Sequence, residues 1–94
     1  MNKAVSETVV PTFPPGVKFR FDSVRNAWVL LAPERLFMPD EQAVEILKLV
    51  DGVREISEII DILAARFADT PRDVIAADVS AMLHELAAKG ALRL

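Results

Sequence analysis

The stretch Arg35-Leu36-Phe37-Met38-Pro39-Asp40-Glu41-Gln42-Ala43-Val44-Glu45-Ile46-Leu47-Lys48-Leu49-Val50-Asp51-Gly52 decides the fold, because within it the apolar spacing changes from strand-like to helix-like. Arg35 to Met38 is a short apolar run that Pro39 ends, since proline has no N–H to give to a ladder, and it reads as a short strand. Asp40 then offers a side-chain oxygen as N-cap. Ala43, Val44, Ile46, Leu47 and Val50 recur at helical spacing as far as a stop at Asp51-Gly52. A helix starts where the strand ends.

Upstream of this junction, Val17-Lys18-Phe19-Arg20-Phe21-Asp22 alternates apolar and polar residues, the pattern of a strand with one buried face. After the connection Ser23–Asn26, the run Ala27–Ala32 is apolar throughout and reads as a central strand. Pro33-Glu34 suits a tight turn into Arg35–Met38. Counting outward from the turns puts Phe19, Leu30 and Phe37 in one row and Phe21 opposite Trp28, and that aromatic face is expected to meet the helices. The other face carries Val29, Leu31, Leu36 and Met38 beside Lys18 and Arg20, with no obvious cover. Residues 1–16 hold Pro11, Pro14, Pro15 and Gly16 without sustained periodicity, so a flexible leader is expected ahead of one domain over 17–94.

Downstream, Ser57 is expected to cap a helix over 58–67. Thr70-Pro71-Arg72-Asp73 is a start signal for a third helix, which runs to Lys89 with Gly90 as its stop. Its expected core stripe is Ile75, Val79, Met82 and Leu86. A shoulder of Ala76, Ser80, Leu83 and Ala87 is displaced from that stripe, and Ala91–Leu94 is expected as an extended tail beside the sheet. The fold class is therefore α+β: a three-stranded antiparallel β-meander followed by three α-helices, a winged helix-turn-helix-like order.

The 94 residues suffice for one domain with one modest core. No apolar run approaches the ~18 residues of a membrane span, and the N-terminus lacks the apolar core and cleavage site of a signal peptide, so a cytoplasmic protein is expected. The absence of cysteine removes disulfides, thiol nucleophiles and thiolate-held clusters. His84 stands alone, which makes neither a metal site nor a triad. Asp73 with Asp78, and Glu55 with Glu58 and Asp61, read as solvated helix faces, since nothing places them in a pocket that would shift a pKa. No enzyme activity and no cofactor are expected.

Charge weighs against the DNA-binding alternative that a winged helix raises. Residues 40–94 hold six basic and eleven acidic side chains, and the third helix has Arg72 and Lys89 against Asp73, Asp78 and Glu85. Phosphate contacts need clustered cations, so nucleic acid is not an expected partner.

The order of the motifs P-G-V-K-F-R-F-D, W-V-L-L-A-P-E-R, A-V-E-I-L-K-L-V-D-G, I-I-D-I-L-A-A-R-F and M-L-H-E-L-A-A-K-G strongly resembles the PqqD family, and the likeness covers Pro15 to Leu92. The resemblance implies a small cytosolic peptide chaperone of pyrroloquinoline quinone (PQQ) biosynthesis. Such a protein binds the precursor peptide PqqA and presents it to PqqE, a radical S-adenosylmethionine enzyme that carries its own cofactors. The same module recurs as the precursor-recognition element of other peptide-modifying systems. It further implies a peptide held between the third strand and the third helix, which carries that role to Arg35, Leu36, Phe37 and Met38 with Arg72, Ala76, Val79, Ser80 and Leu83.

The residues themselves lead to the same place. The last strand of a meander is an edge with unpaired N–H and C=O groups, a template for an added strand. The small residues of the shoulder would let another backbone approach. The open edge and the short Pro33-Glu34 hinge also allow a homodimer by strand exchange.

Overall fold

Strand β1 (Lys18–Asp22) pairs antiparallel with β2 (Ala27–Ala32), which pairs antiparallel with β3 (Arg35–Phe37), giving the sheet order β1-β2-β3. The computed structural model describes residues 6–94. The register places Phe19 opposite Leu30, Leu30 opposite Phe37, and Phe21 opposite Trp28, as the turns predict. Phe19 stacks on Trp28 at 4.9 Å, Phe21 meets it edge-on at 5.7 Å, and Phe13 extends the stack to Phe19 at 6.3 Å. These offset and edge contacts suit the charge distribution of aromatic rings. Glu34 takes the left-handed φ of 65° that the second central position of this Pro-Glu turn requires.

Helix α1 (Glu41–Leu47) starts as expected, with the Asp40 carboxylate accepting from the Ala43 N–H at 2.8 Å. It ends sooner, at Leu47. Leu49 and Val50 then turn back onto the carbonyls of Ile46 and Leu47, and both bury their side chains. Helix α2 (Ile56–Arg66) begins at a Glu55 cap rather than at Ser57. Glu55 and Glu58 form a reciprocal capping box, in which the Glu58 carboxylate accepts from the Glu55 N–H at 2.9 Å. Helix α3 (Arg72–Ala88) starts after Pro71 without a side-chain cap from Thr70. At its end the Ala91 N–H reaches the Leu86 carbonyl and the Gly90 N–H the Ala87 carbonyl, with Gly90 at φ +79°. This pair of bonds is a Schellman ending, which needs the left-handed residue that glycine supplies.

The core joins Leu30 of the sheet to Ile46 and Leu47 of α1, Ile56, Ile59, Ile60 and Leu63 of α2, and Ile75, Val79 and Leu83 of α3. The buried stripe of α3 is thus Ile75-Val79-Leu83 with Ser80, while Met82 and Leu86 are only half-buried. The sequence carries apolar residues on more than one face of this helix, and packing against α2 selects the stripe. On the outer face of the sheet Val29 is fully buried, whereas Leu36 is 41% exposed.

The expectation of a flexible leader over 1–16 needs correction over its described part; residues 1–5 lie outside the described residues. The Ile56 N–H donates to the Val9 carbonyl at 2.9 Å and the Ser57 N–H to the Glu7 carbonyl at 2.8 Å. The first amides of a helix have no partner within it, and this segment supplies two. Pro11 is buried, and Thr12 pairs with Arg93 in an isolated bridge whose two hydrogen bonds are 2.9 and 2.8 Å. The C-terminal tail therefore pairs with the N-terminal segment, while Ala91 and Leu92 are buried in the core that includes Leu30 of the sheet.

Candidate peptide-binding groove

Strand β3 has β2 on one side and no strand on the other. The two-residue turn makes Ala32 and Arg35 its hydrogen-bonded closing pair. Because hydrogen-bonded and non-bonded pairs alternate along an antiparallel ladder, Leu30–Phe37 is bonded as well, and Leu36 turns its N–H and C=O outward. The free edge of β3 is therefore the backbone of Leu36.

Beside this edge lies a cleft of about 420 Å³. Its strand wall is Phe37 and Met38, and its end wall is Pro39, Asp40, Gln42 and Ala43 at the entry to α1. Its helical wall is Asp78, Ala81, Met82, Glu85, Leu86 and Lys89 of α3. The Arg35 guanidinium lies over the Phe37 ring at 5.3 Å and donates to the Lys89 carbonyl at 3.4 Å, which ties the start of β3 to the end of α3. Asp40, Asp78 and Glu85 outnumber Lys89 around the cleft, and Lys89 is already held by Glu85 at 3.0 Å. The cleft thus combines an unpaired strand edge, an apolar strip of Phe37, Met82 and Leu86, and a negative rim.

The expected site residues divide sharply on this geometry. Phe37 and Met38 line the cleft, Arg35 closes its end, and Leu36 points its side chain to the opposite face while giving the edge its free backbone groups. On α3 the expected set lies elsewhere. Val79, Ser80 and Leu83 are buried in the interior, and Ala76 is half-buried against the core. Arg72 stands at the other end of α3, bonded to Asp61 at 2.9 Å and Glu7 at 3.0 Å. Those two carboxylates, Glu7 foremost, hold its guanidinium even more firmly protonated than usual. The side chains that do wall the cleft, Asp78, Met82, Glu85 and Lys89, recur at i, i+4, i+7 and i+11. That signal is present in the sequence, but it shares Met82 with the apolar stripe expected to be core.

Among the described residues no group of His, Asp and Glu side chains is placed to hold a metal ion, and no helix is long and apolar enough to cross a membrane. His84 is exposed on α3.

Residues 27–92 match the family described as Coenzyme PQQ synthesis protein D (PqqD). The chain is 52% identical over 89 residues to a protein of Rhodopseudomonas palustris strain TIE-1 named PqqA binding protein, covering 95% of this chain and 86% of that one. It is 49% identical over 89 residues to the bifunctional coenzyme PQQ synthesis protein C/D of Methylorubrum extorquens, covering 95% of this chain and 24% of that longer protein. Among solved structures, the PqqD portion of the Methylobacterium extorquens PqqCD protein, described as a functional and stand-alone recognition element for ribosomally synthesised and post-translationally modified peptides, superposes with a TM-score of 0.79 at 48% identity, covering 97% of this chain and 96% of that one. PqqD of Xanthomonas campestris superposes with a TM-score of 0.59 at 36% identity, covering 96% and 99%. With its three-stranded meander, three helices and cleft beside the open edge, the chain belongs to the PqqD family, whose members recognise rather than catalyse.

Proposed function

We propose that the protein binds the precursor peptide PqqA in the cytoplasm and presents it to the radical S-adenosylmethionine enzyme PqqE during PQQ biosynthesis. The peptide adds as a fourth strand at Leu36, and its side chains enter the cleft between Phe37 and the Met82 face of α3. The observation that carries this reading is the outward-facing Leu36 backbone beside a cleft walled by α3. Strand addition supplies sequence-tolerant main-chain bonds, and the flanking pocket supplies selectivity. The likeness to proteins named for PqqA binding supports the choice of peptide. A homodimer formed through the same edge would compete with the peptide for it.

DNA binding is a poorer fit. Arg72, one of two cations on the third helix and its cap, is spent on Glu7 and Asp61, and Lys89 on Glu85.

The test combines the purified chain with PqqA and PqqE. A one-to-one complex with PqqA by calorimetry is expected, together with peptide modification that depends on the chain. No heat of binding, or equal modification by PqqE with and without the chain, would overturn the proposal.

A further inference from the structure

A second and larger cleft, of about 770 Å³, opens beyond the far end of the β3 groove. The rings of Phe21, Trp28 and Phe67 stand around it, and Leu63, Ile75 and Val79 form its floor. Phe21 and Phe67 are 46% and 49% exposed, so two large rings are left half in water around an apolar floor. The volume falls within the roughly 300 to 1,000 Å³ of typical ligand sites.

The two clefts share Pro39, Gln42, Ile46 and Asp78 as lining residues, so they adjoin at these four and follow one another along α3. In order along the helix, Lys89, Glu85 and Met82 face the small cleft, Asp78 faces both, and Ile75 and the preceding Thr70 face the large one. At 1.5 Å per residue the distance from Lys89 to Thr70 is about 28 Å, which an extended chain covers with about nine residues. Strand β3 is only three residues long, so strand pairing alone accounts for less than half of such a footprint.

We infer that the bound peptide continues past β3 and seats a bulky aromatic or aliphatic side chain, with a Lys or Arg beside it, in this larger cleft. The inference rests on the peptide-binding reading above and extends its footprint. Charge at the mouth selects the basic neighbour. Glu45 is engaged by Lys48 at 3.4 Å and Arg66 at 3.0 Å, whereas Glu41 and Asp78 have no ion-pair partner among the described residues. Two uncommitted carboxylates beside an aromatic-walled pocket fit a cationic segment with an apolar anchor. Both existing strand pairs are antiparallel. A peptide that follows that pattern delivers the residues upstream of its paired segment to the large cleft.

The chain has one tryptophan, so protein labelled with nitrogen-15 shows a single indole N–H signal, and Trp28 lines the large cleft but not the small one. On titration with unlabelled PqqA, the indole signal should move in step with the amides of residues 35–38. Phe67→Ser and Glu41→Lys should each weaken binding about tenfold and shrink the indole shift, while the amides of 35–38 still move. Circular dichroism identifies any variant that fails to fold. A saturating peptide that moves 35–38 but leaves the indole unmoved, with both variants binding within about twofold of the parent, would overturn the inference and leave the β3 groove intact. Absence of any binding to the parent chain would overturn both.

Discussion

The sheet ends in two edges that treat an approaching backbone differently. Strand β1 spans five residues, presents Lys18 and Arg20, and follows Pro14 and Pro15. Cations and prolines at an edge discourage a further strand. Strand β3 spans three residues, has no lysine, turns the Leu36 backbone outward, and runs beside a cleft with an apolar strip. The Phe13 ring, packed on Phe19, also closes the inner side of β1, whereas the inner side at Phe37 stays open toward α3. An edge is open to a further strand with side-chain selectivity when its backbone is free and a second wall stands next to it. Only β3 meets both conditions.

The second wall depends on α3 burying one face and offering another. Leu83→Ala should therefore cost about 2 to 5 kcal/mol of stability, because a fully buried side chain leaves a cavity. Met82→Glu should leave the urea midpoint close to the parent's and lower PqqA affinity by about tenfold, since it places a charge against the negative rim. If Met82→Glu unfolded the chain and Leu83→Ala spared its stability, the assignment of core and cleft faces would be reversed.

The edges themselves can be set against each other. Leu36→Pro removes the outward N–H without touching the inward bonds to β2, and proline is tolerated at such positions. It should weaken PqqA by more than about fivefold, a smaller loss than the Leu83 cavity represents. Arg20→Glu on β1 should stay within about twofold. Equal losses at both edges in calorimetry would show that the peptide does not distinguish them.

The smallest expected effect concerns the turns that set the sheet and the α1–α2 connection. Arg25 chiefly, through its guanidinium and then its N–H, lowers the Asp22 carboxyl below its ordinary value of 3.8. The Arg54 and Val53 amides do the same for Asp51. A depressed carboxyl favours the folded state above the unfolded pKa, and this contribution fades as pH falls through the folded value. Asp22→Asn and Asp51→Asn should thus narrow the gap in urea midpoint between about pH 7 and about pH 3. Asp51 is exposed and Asp22 sits half-buried at the surface beside an exposed Arg25, so the change should be slight, and a steeper acid dependence in the variants would contradict it.

The existence, order and type of all six elements were legible in the sequence, because each rests on a local signal: strict alternation in β1, the Asp40 cap, the Gly90 stop. The register was equally local, since short turns leave the strands little freedom to slip. Helix boundaries followed less well. Ser57 has a good capping side chain, yet α2 begins at Glu55, where a capping box and the carbonyls of Glu7 and Val9 together satisfy the first amides. Those carbonyls come from about fifty residues away in the chain, beyond the reach of any local pattern.

The sequence by itself thus determined the meander, the three helices and the open edge at β3, because hydrophobic period, caps and turn chemistry act between near neighbours. The tertiary structure alone decided which face of α3 is core, how residues 7–12 are fastened, and that two clefts adjoin along α3. A helix with apolar residues on several faces has several stripes of similar hydrophobicity, among them Ile75-Val79-Met82-Leu86 and Ile75-Val79-Leu83. The choice falls to whichever lets α2, α3 and the sheet close around Ile59, Ile60 and Leu30 at once. That is a property of three surfaces meeting, and no single segment contains it.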